Sequence, residues 1–191
     1  MSGLFDEPDD ATPLTPEERD GLLQSWITYR AELNLAEQRN IEAGATSAYR
    51  WRGDVLTDDF LRRLHARLFG EVWAWAGDYR LTERNIGIDP ARIPGEVRMV
   101  MEDARYWIDN ATWPLDEAAV RLHHRLVAIH PFPNGNGRTT RLMADLLAVR
   151  LGREPFSWGR ASLTEIGDTR QRYIAALRTA DNHDIGPLLH F

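Results

Sequence analysis

The chain has 191 residues, a formal net charge of −6, and 27% charged against 43% apolar residues, the balance of one folded domain with its own core. All 23 basic residues are Arg, which excludes a Walker A phosphate loop and Schiff-base chemistry. The absence of Cys excludes a thiol nucleophile, a disulfide frame and a zinc–thiolate site, and the acidic balance argues against nonspecific nucleic-acid binding. No apolar window is long enough for a membrane span and the N-terminus carries no signal core, so the cytoplasm is the expected compartment.

In chain order, residues 1–14 read as a flexible acidic lead with Pro8 and Pro13. Thr15, Pro16 and Glu18 have the spacing of a capping box with proline at the first helical position. Good helix formers then predict a helix as far as about Gly44. Thr57 is positioned to cap a second helix, with Phe60, Leu61, Leu64 and Leu68 at helical spacing and an end near Gly70. Between 71 and 93, Tyr79–Thr82 and Ile86–Ile88 flank a polar turn and predict a short β-hairpin at about 79–89. Pro94 opens a helix containing Val97, Val100, Met101 and Trp107. Asp116 is a candidate cap for the next, with Ala119, Leu122, Leu126 and Ile129 on one face. Leu142, Met143, Leu146 and Leu147 mark another, and a last long helix is expected from Thr164 to about Thr179. The fold class is therefore all-α, mostly helical, with one small strand pair.

The segment His130-Pro131-Phe132-Pro133-Asn134-Gly135-Asn136-Gly137-Arg138 carries the chemistry. Pro131 and Pro133 cannot continue the helix that ends at His130, and a new helix starts just past the glycines. An imidazole thus faces a Gly-rich helix N-terminus, whose bare N–H groups and positive potential suit an anion. Arg138 and Arg141, three apart, share a helix face and could hold further phosphate oxygens. The plainer readings are a structural turn, a structural His, and Arg141 paired with Asp145. Contiguity favours a polyphosphate site with His130 beside it as base. His123 shares a face with His130 but lies too far along the helix for both to bind one metal, and Trp73, Trp75 and Trp107 read as packing residues rather than a stacking platform.

His130 to Arg141 resembles the HPFx(D/E)GNGRxxR signature of Fic (Fic/DOC) proteins, matching every specified position except the acidic one. Leu68-Phe69-Gly70 with Trp75-Ala76-Gly77 looks like the family's approach to its flap hairpin. Residues 15–191 also look like the subfamily called mobile mystery protein B, on the strings at 30–34 and 181–188.

The resemblance implies a single Fic domain over 15–191, with a flap within 71–93 and a catalytic helix–loop–helix at 116–151. It implies a protein adenylyltransferase that moves AMP from ATP to a Ser, Thr or Tyr hydroxyl of a target protein. His130 would be the general base and Phe132 a core anchor. Gly135, Asn136 and Gly137 would line the hole for the α- and β-phosphates, with Arg138 stabilising charge there and Arg141 reaching the γ-phosphate. Asn134 stands where the family has the Asp or Glu that helps hold Mg²⁺, so the ion would be carried mainly by the ATP phosphates.

Many relatives are self-inhibited by a helix bearing (S/T)xxxE(G/N), whose Glu pairs with the second motif Arg. Thr28 to Glu32 fits five positions of that pattern, which makes Glu32 the expected brake within 15–44 and Glu37 the reserve candidate. The flap would hold a target by strand addition. Two rival readings stand beside this one: a Fic-type transferase using another donor, and a nucleotide-binding regulator in a toxin–antitoxin-like pair with a helix-turn-helix partner. The oligomeric state stays open, a homodimer included.

Overall fold

The computed structural model describes residues 4–5, 13–160 and 168–191. Eight α-helices occur among them: α1 (Pro16–Arg19), α2 (Arg30–Ala48), α3 (Asp58–Phe69), α4 (Ile93–Asp109), α5 (Leu115–Ile129), α6 (Asn136–Arg150), α7 (Asp168–Asp181) and α8 (Gly186–Leu189). The expected start of the last long helix at Thr164, and most of the acidic lead, lie outside the described residues.

The centre is the antiparallel pair α5 and α6, whose inward faces carry Leu122, Leu126, Met143 and Ala144, all fully buried. α4 packs on α5 through Val97, Val100 and Ala104, and α3 meets α6 from the other side through Leu61, Leu64 and Leu68. α2 lies along α3. Its buried stripe is Leu33, Glu37, Asn40, Gly44 and Ala48, at helical spacing. Gly44 permits that approach, because a Cβ there would stand 2.4 Å from the Arg67 carbonyl oxygen. A smaller apolar cluster seats α7 and α8 on α5 through Val120, Tyr173, Ala176, Ile185 and Leu188.

Three expectations need correction. The helix read continuously from 16 to about 44 is two helices. The Thr15 capping box forms, but residues 20–29 leave the helix to pair with the segment after α3. Leu23 N–H donates to the Val72 carbonyl at 2.9 Å and Ala74 N–H to that of Gly21 at 2.8 Å. These tertiary bonds outweigh local helix propensity.

Second, no strand occurs among the described residues, and the predicted hairpin at 79–89 is an irregular loop. Its backbone partners lie across the motif rather than across the turn. Arg80 N–H donates to the Pro131 carbonyl at 2.9 Å and Ile88 N–H to that of Ile129 at 3.3 Å. Third, Asp116 does not cap α5. Pro114 holds that position, and Asp116 instead pairs with Arg153 at 2.6 Å.

Candidate active site

α5 ends at His130, whose left-handed backbone (φ 54, ψ 60) turns the chain out of the helix. Phe132, fully buried, anchors the loop and stacks on His65 of α3 with ring centroids 3.8 Å apart. Asn136 locks the turn, its side chain accepting from Phe132 N–H and donating to the Phe132 carbonyl, both at 2.8 Å. Gly135 precedes α6 with φ 76, and a Cβ there would strike the Phe69 ring at 2.5 Å, so the position needs glycine on both counts. Gly135 as the residue before the helix provides no side-chain cap. The first N–H groups of α6 therefore keep their capacity for an anion.

Asn134, Gly135, Asn136, Gly137, Arg138 and Arg141 thus gather at the N-terminus of α6, with His130 at the end of α5 across the loop. Arg138 donates to Glu37 at 2.6 Å and to Asn134 Oδ1 at 3.1 Å, with its guanidinium over the Phe69 ring. Glu37 also accepts from the indole N–H of Trp73 at 2.8 Å. Burial would push the Glu37 carboxyl up, but the Arg138 charge and these hydrogen bonds outweigh it and hold it below the usual glutamate range. Arg141 does not pair with Asp145, which takes the Phe156 N–H and the Trp158 indole N–H. Its guanidinium instead lies over the Tyr173 ring, 5.1 Å from the centroid.

Glu32 is not brought to this site. It sits exposed at the start of α2, accepting from Thr28 N–H at 2.8 Å and Tyr29 N–H at 3.1 Å. Its pairing with Thr28, four residues back, is what a helix N-terminus looks like. Glu37 holds the position at the motif arginines instead, and it meets the first of them, Arg138.

Two further residues hold the loop and carried no local sequence signal. His65 accepts from Gly77 N–H at its Nδ1, so its Nε2 donates to the Asn134 carbonyl at 3.0 Å. Arg80, only 2% exposed, donates to the carbonyls of His130 at 2.7 Å and Thr82 at 2.8 Å, and also to that of Ile88. It ties both arms of the 79–89 loop to the residue expected to act as base. A regular spacing could have exposed neither, because each partner lies about fifty or more residues away.

Burial, with the Arg80 charge second, lowers the His130 imidazole to about 4, while a ring bond to the Val127 carbonyl opposes this. The ring is neutral at pH 7 and able to accept a proton. Burial also lowers His65 to about 3 and His123 well below its ordinary value. Near pH 5, three unfolded histidines would each bind a proton that the folded protein refuses. Stability is thus fully present above about pH 6.5 and lost as pH falls toward the folded values. Asp145, raised to about 6 by burial, acts with the opposite sign between about 4 and 6 and offsets one histidine. Urea titrations should therefore show stability falling by roughly 3 kcal/mol per pH unit near pH 5. Equal stability at pH 6.5 and pH 5 would refute this account.

Asn134 Oδ1 already accepts from Gly135 N–H at 2.6 Å and from Arg138. An uncharged oxygen committed to two donors and facing a cation does not fit Mg²⁺. No cluster of three His, Cys, Asp or Glu that could hold a metal occurs among the described residues. No helix among them is long and apolar enough to cross a membrane.

Residues 55–148 match the sequence model of the Fic/DOC family. The protein adenylyltransferase Fic of Drosophila grimshawi is 32% identical over 143 residues, 72% of this chain and 28% of that protein. The chain thus spans little more than a quarter of that relative's length. The Fic-1 fragment from Caenorhabditis elegans superposes with a TM-score of 0.64 at 25% identity, covering 90% of this chain and 55% of that one. The ADP-bound N-terminal Fic domain of a VirB-translocated Bep effector from Bartonella quintana gives a TM-score of 0.71 at 16% identity, over 91% and 92% of the two chains.

Proposed function

Residues 55–148 of this chain belong to the Fic/DOC family, and from that premise we propose that it is a protein adenylyltransferase using ATP. The observation that carries this reading is the joining of a buried, neutral imidazole to an uncapped, Gly-rich helix N-terminus flanked by two arginines. The target hydroxyl oxygen attacks the α-phosphorus while His130 takes its proton. The bond from the α-phosphorus to the oxygen bridging it to the β-phosphate breaks, and pyrophosphate leaves. The N–H groups of Asn136 and Gly137, beside the bare Gly135, hold the α- and β-phosphates with Arg138, and Arg141 holds the γ-phosphate. This work is positioning and charge stabilisation. Negative charge arriving with the nucleotide counters Arg80 and raises the proton affinity of His130 when it is needed.

Magnesium enters as part of the substrate, on the ATP phosphates. Asn134→Asp should lower the magnesium concentration for half-maximal activity by roughly ten-fold, by adding a charged oxygen donor. An unchanged magnesium requirement would show that position 134 lies away from the ion.

Glu37 is the brake in this reading. While it holds Arg138, that arginine cannot turn to a phosphate, so release of α2 is required for full activity. We treat 15–191 as one Fic domain of the mobile mystery protein B type, with a helix-turn-helix protein as partner and a target hydroxyl protein as substrate. The 79–89 loop is the place for that target, although it makes its bonds as an irregular loop. ATP labelled at the α-phosphate, incubated with the chain and a cell lysate, tests the activity. Label on protein from the α-position, but not from the γ-position, is expected. Label from the γ-position alone would make the protein a kinase, and nucleotide binding without label would make it a regulator.

A further inference from the structure

Behind Arg141 lies a run of polar groups that the proposed reaction does not use. The hydroxyl of Tyr173 on α7 meets His123 Nε2 at 2.9 Å. His123 Nδ1 meets Thr140 Oγ1 at 3.0 Å. Thr140 Oγ1 meets the Asn136 carbonyl at 2.9 Å. His123 and Thr140 are fully buried and Tyr173 is 6% exposed, so the set is closed to bulk solvent.

The far end fixes the direction of every bond. A carbonyl only accepts, so Thr140 donates its hydroxyl proton to Asn136. Its oxygen then accepts from His123 Nδ1–H. The neutral ring is left with a lone pair on Nε2, which takes the Tyr173 O–H. Burial, aided by the nearby Arg141 charge, keeps this imidazole unprotonated. With its only proton committed, the Tyr173 oxygen keeps lone pairs alone for a cation, and the Arg141 guanidinium lies over its ring with one nitrogen 3.2 Å from the point where a Cβ on Gly137 would stand. The same hydroxyl lies 3.9 Å from the point where a Cβ on Gly137 would stand, beside the helix N-terminus.

We propose that Tyr173, polarised through His123 and Thr140, is a positioning residue that aims Arg141 at the terminal phosphate of ATP. This rests on the reading of Arg141 given above. The run begins on the Asn136 carbonyl and ends on the Tyr173 hydroxyl beside Arg141, so it ties the aim of the arginine to the loop that receives the other phosphates.

Calorimetric titration of the full chain with ATP and with AMP tests the assignment. The forms compared are the unmodified protein, Tyr173→Phe, Thr140→Val, Arg141→Ala, and Arg141→Ala with Tyr173→Phe. Tyr173→Phe keeps the ring over the guanidinium and removes only the hydroxyl. ATP affinity should fall roughly ten-fold as the hydroxyl's lone pairs are lost from beside the cation, while AMP affinity stays within about two-fold. In the Arg141→Ala background, Tyr173→Phe should add nothing. Thr140→Val, which cuts the far end and leaves both Tyr173 and Arg141 in place, should weaken ATP selectively, by roughly three-fold. If Tyr173→Phe does not fold, Thr140→Val decides.

The inference is overturned if Tyr173→Phe weakens ATP and AMP alike, leaves ATP unaffected, or keeps its full effect without Arg141. If Arg141→Ala itself leaves ATP affinity unchanged, the phosphate role of Arg141 has failed, and Tyr173 loses its object with it. If Arg141→Ala weakens ATP and Tyr173→Phe does not, only the positioning role has failed.

Discussion

Replacing Glu37 by Gln will raise the transfer of α-labelled AMP onto protein by roughly ten-fold or more, while Glu32→Gln leaves it unchanged. Gln keeps the shape of Glu37 and an oxygen for the Trp73 indole. Its amide, however, would set donor against donor at Arg138, which now makes a 2.6 Å bond to the Glu37 carboxylate. Arg138 is therefore released without a cavity being cut. Its side chain retains 21% exposure, so it can turn toward solvent or a phosphate. The cost in folding stability should sit near the low end for a broken buried pair, about 1–3 kcal/mol, readable from urea denaturation. Glu32→Gln touches only the exposed start of α2. Equal label from both variants and the unmodified chain would remove Glu37 as a brake. A rise confined to Glu32→Gln would return that role to the helix start.

His130→Ala in the Glu37→Gln background should reduce label by about 10² to 10⁴-fold, the usual range for a lost general base. Nucleotide affinity should change little, because the phosphates are held by backbone N–H groups and arginines rather than by the imidazole. Loss of rate with preserved binding is the signature sought. Loss of both would make His130 a structural corner, a role its left-handed backbone also fits. In the unmodified base, kcat/KM should stay level from pH 8 down to about pH 5 and fall through the His130 value near 4. Assays over that range must separate this fall from the loss of folding stability.

Much of the site is legible in the sequence because its parts are contiguous. Proline stops one helix, glycine permits the turn, and the next helix starts at the following residue. That local grammar puts His130, the loop and both arginines in one stretch at the junction of α5 and α6. The support was not legible. His65 and Arg80 act on carbonyls 69 and 50 residues away, and hydrogen bonds to backbone leave no pattern in side-chain type. That Glu32 lies away from the motif arginines has a related reason. Thr28 and Glu32 fit a motif, yet that spacing also describes an ordinary helix start, which is what they form. Glu37 is distinguished by register: it shares the buried stripe of Leu33, Asn40, Gly44 and Ala48, where an unpaired carboxylate could not be tolerated. The hairpin failed because residues 79–89 pair with the loop at 129–131, a bond pattern that depends on tertiary approach rather than on alternation.

The pair of Glu37 and Arg138 joins residues 101 apart on one chain. Its two halves are tethered, so the carboxylate meets the guanidinium at a high effective concentration that dilution cannot lower. The specific rate should thus be the same in nanomolar and micromolar solutions, unlike that of an enzyme restrained by self-association. A ligand that relieves the restraint must bind the open form better than the closed one, by at least the free energy separating the two. Such a ligand would also bind more tightly to Glu37→Gln than to the unmodified chain, which gives a way to screen for it without knowing the target.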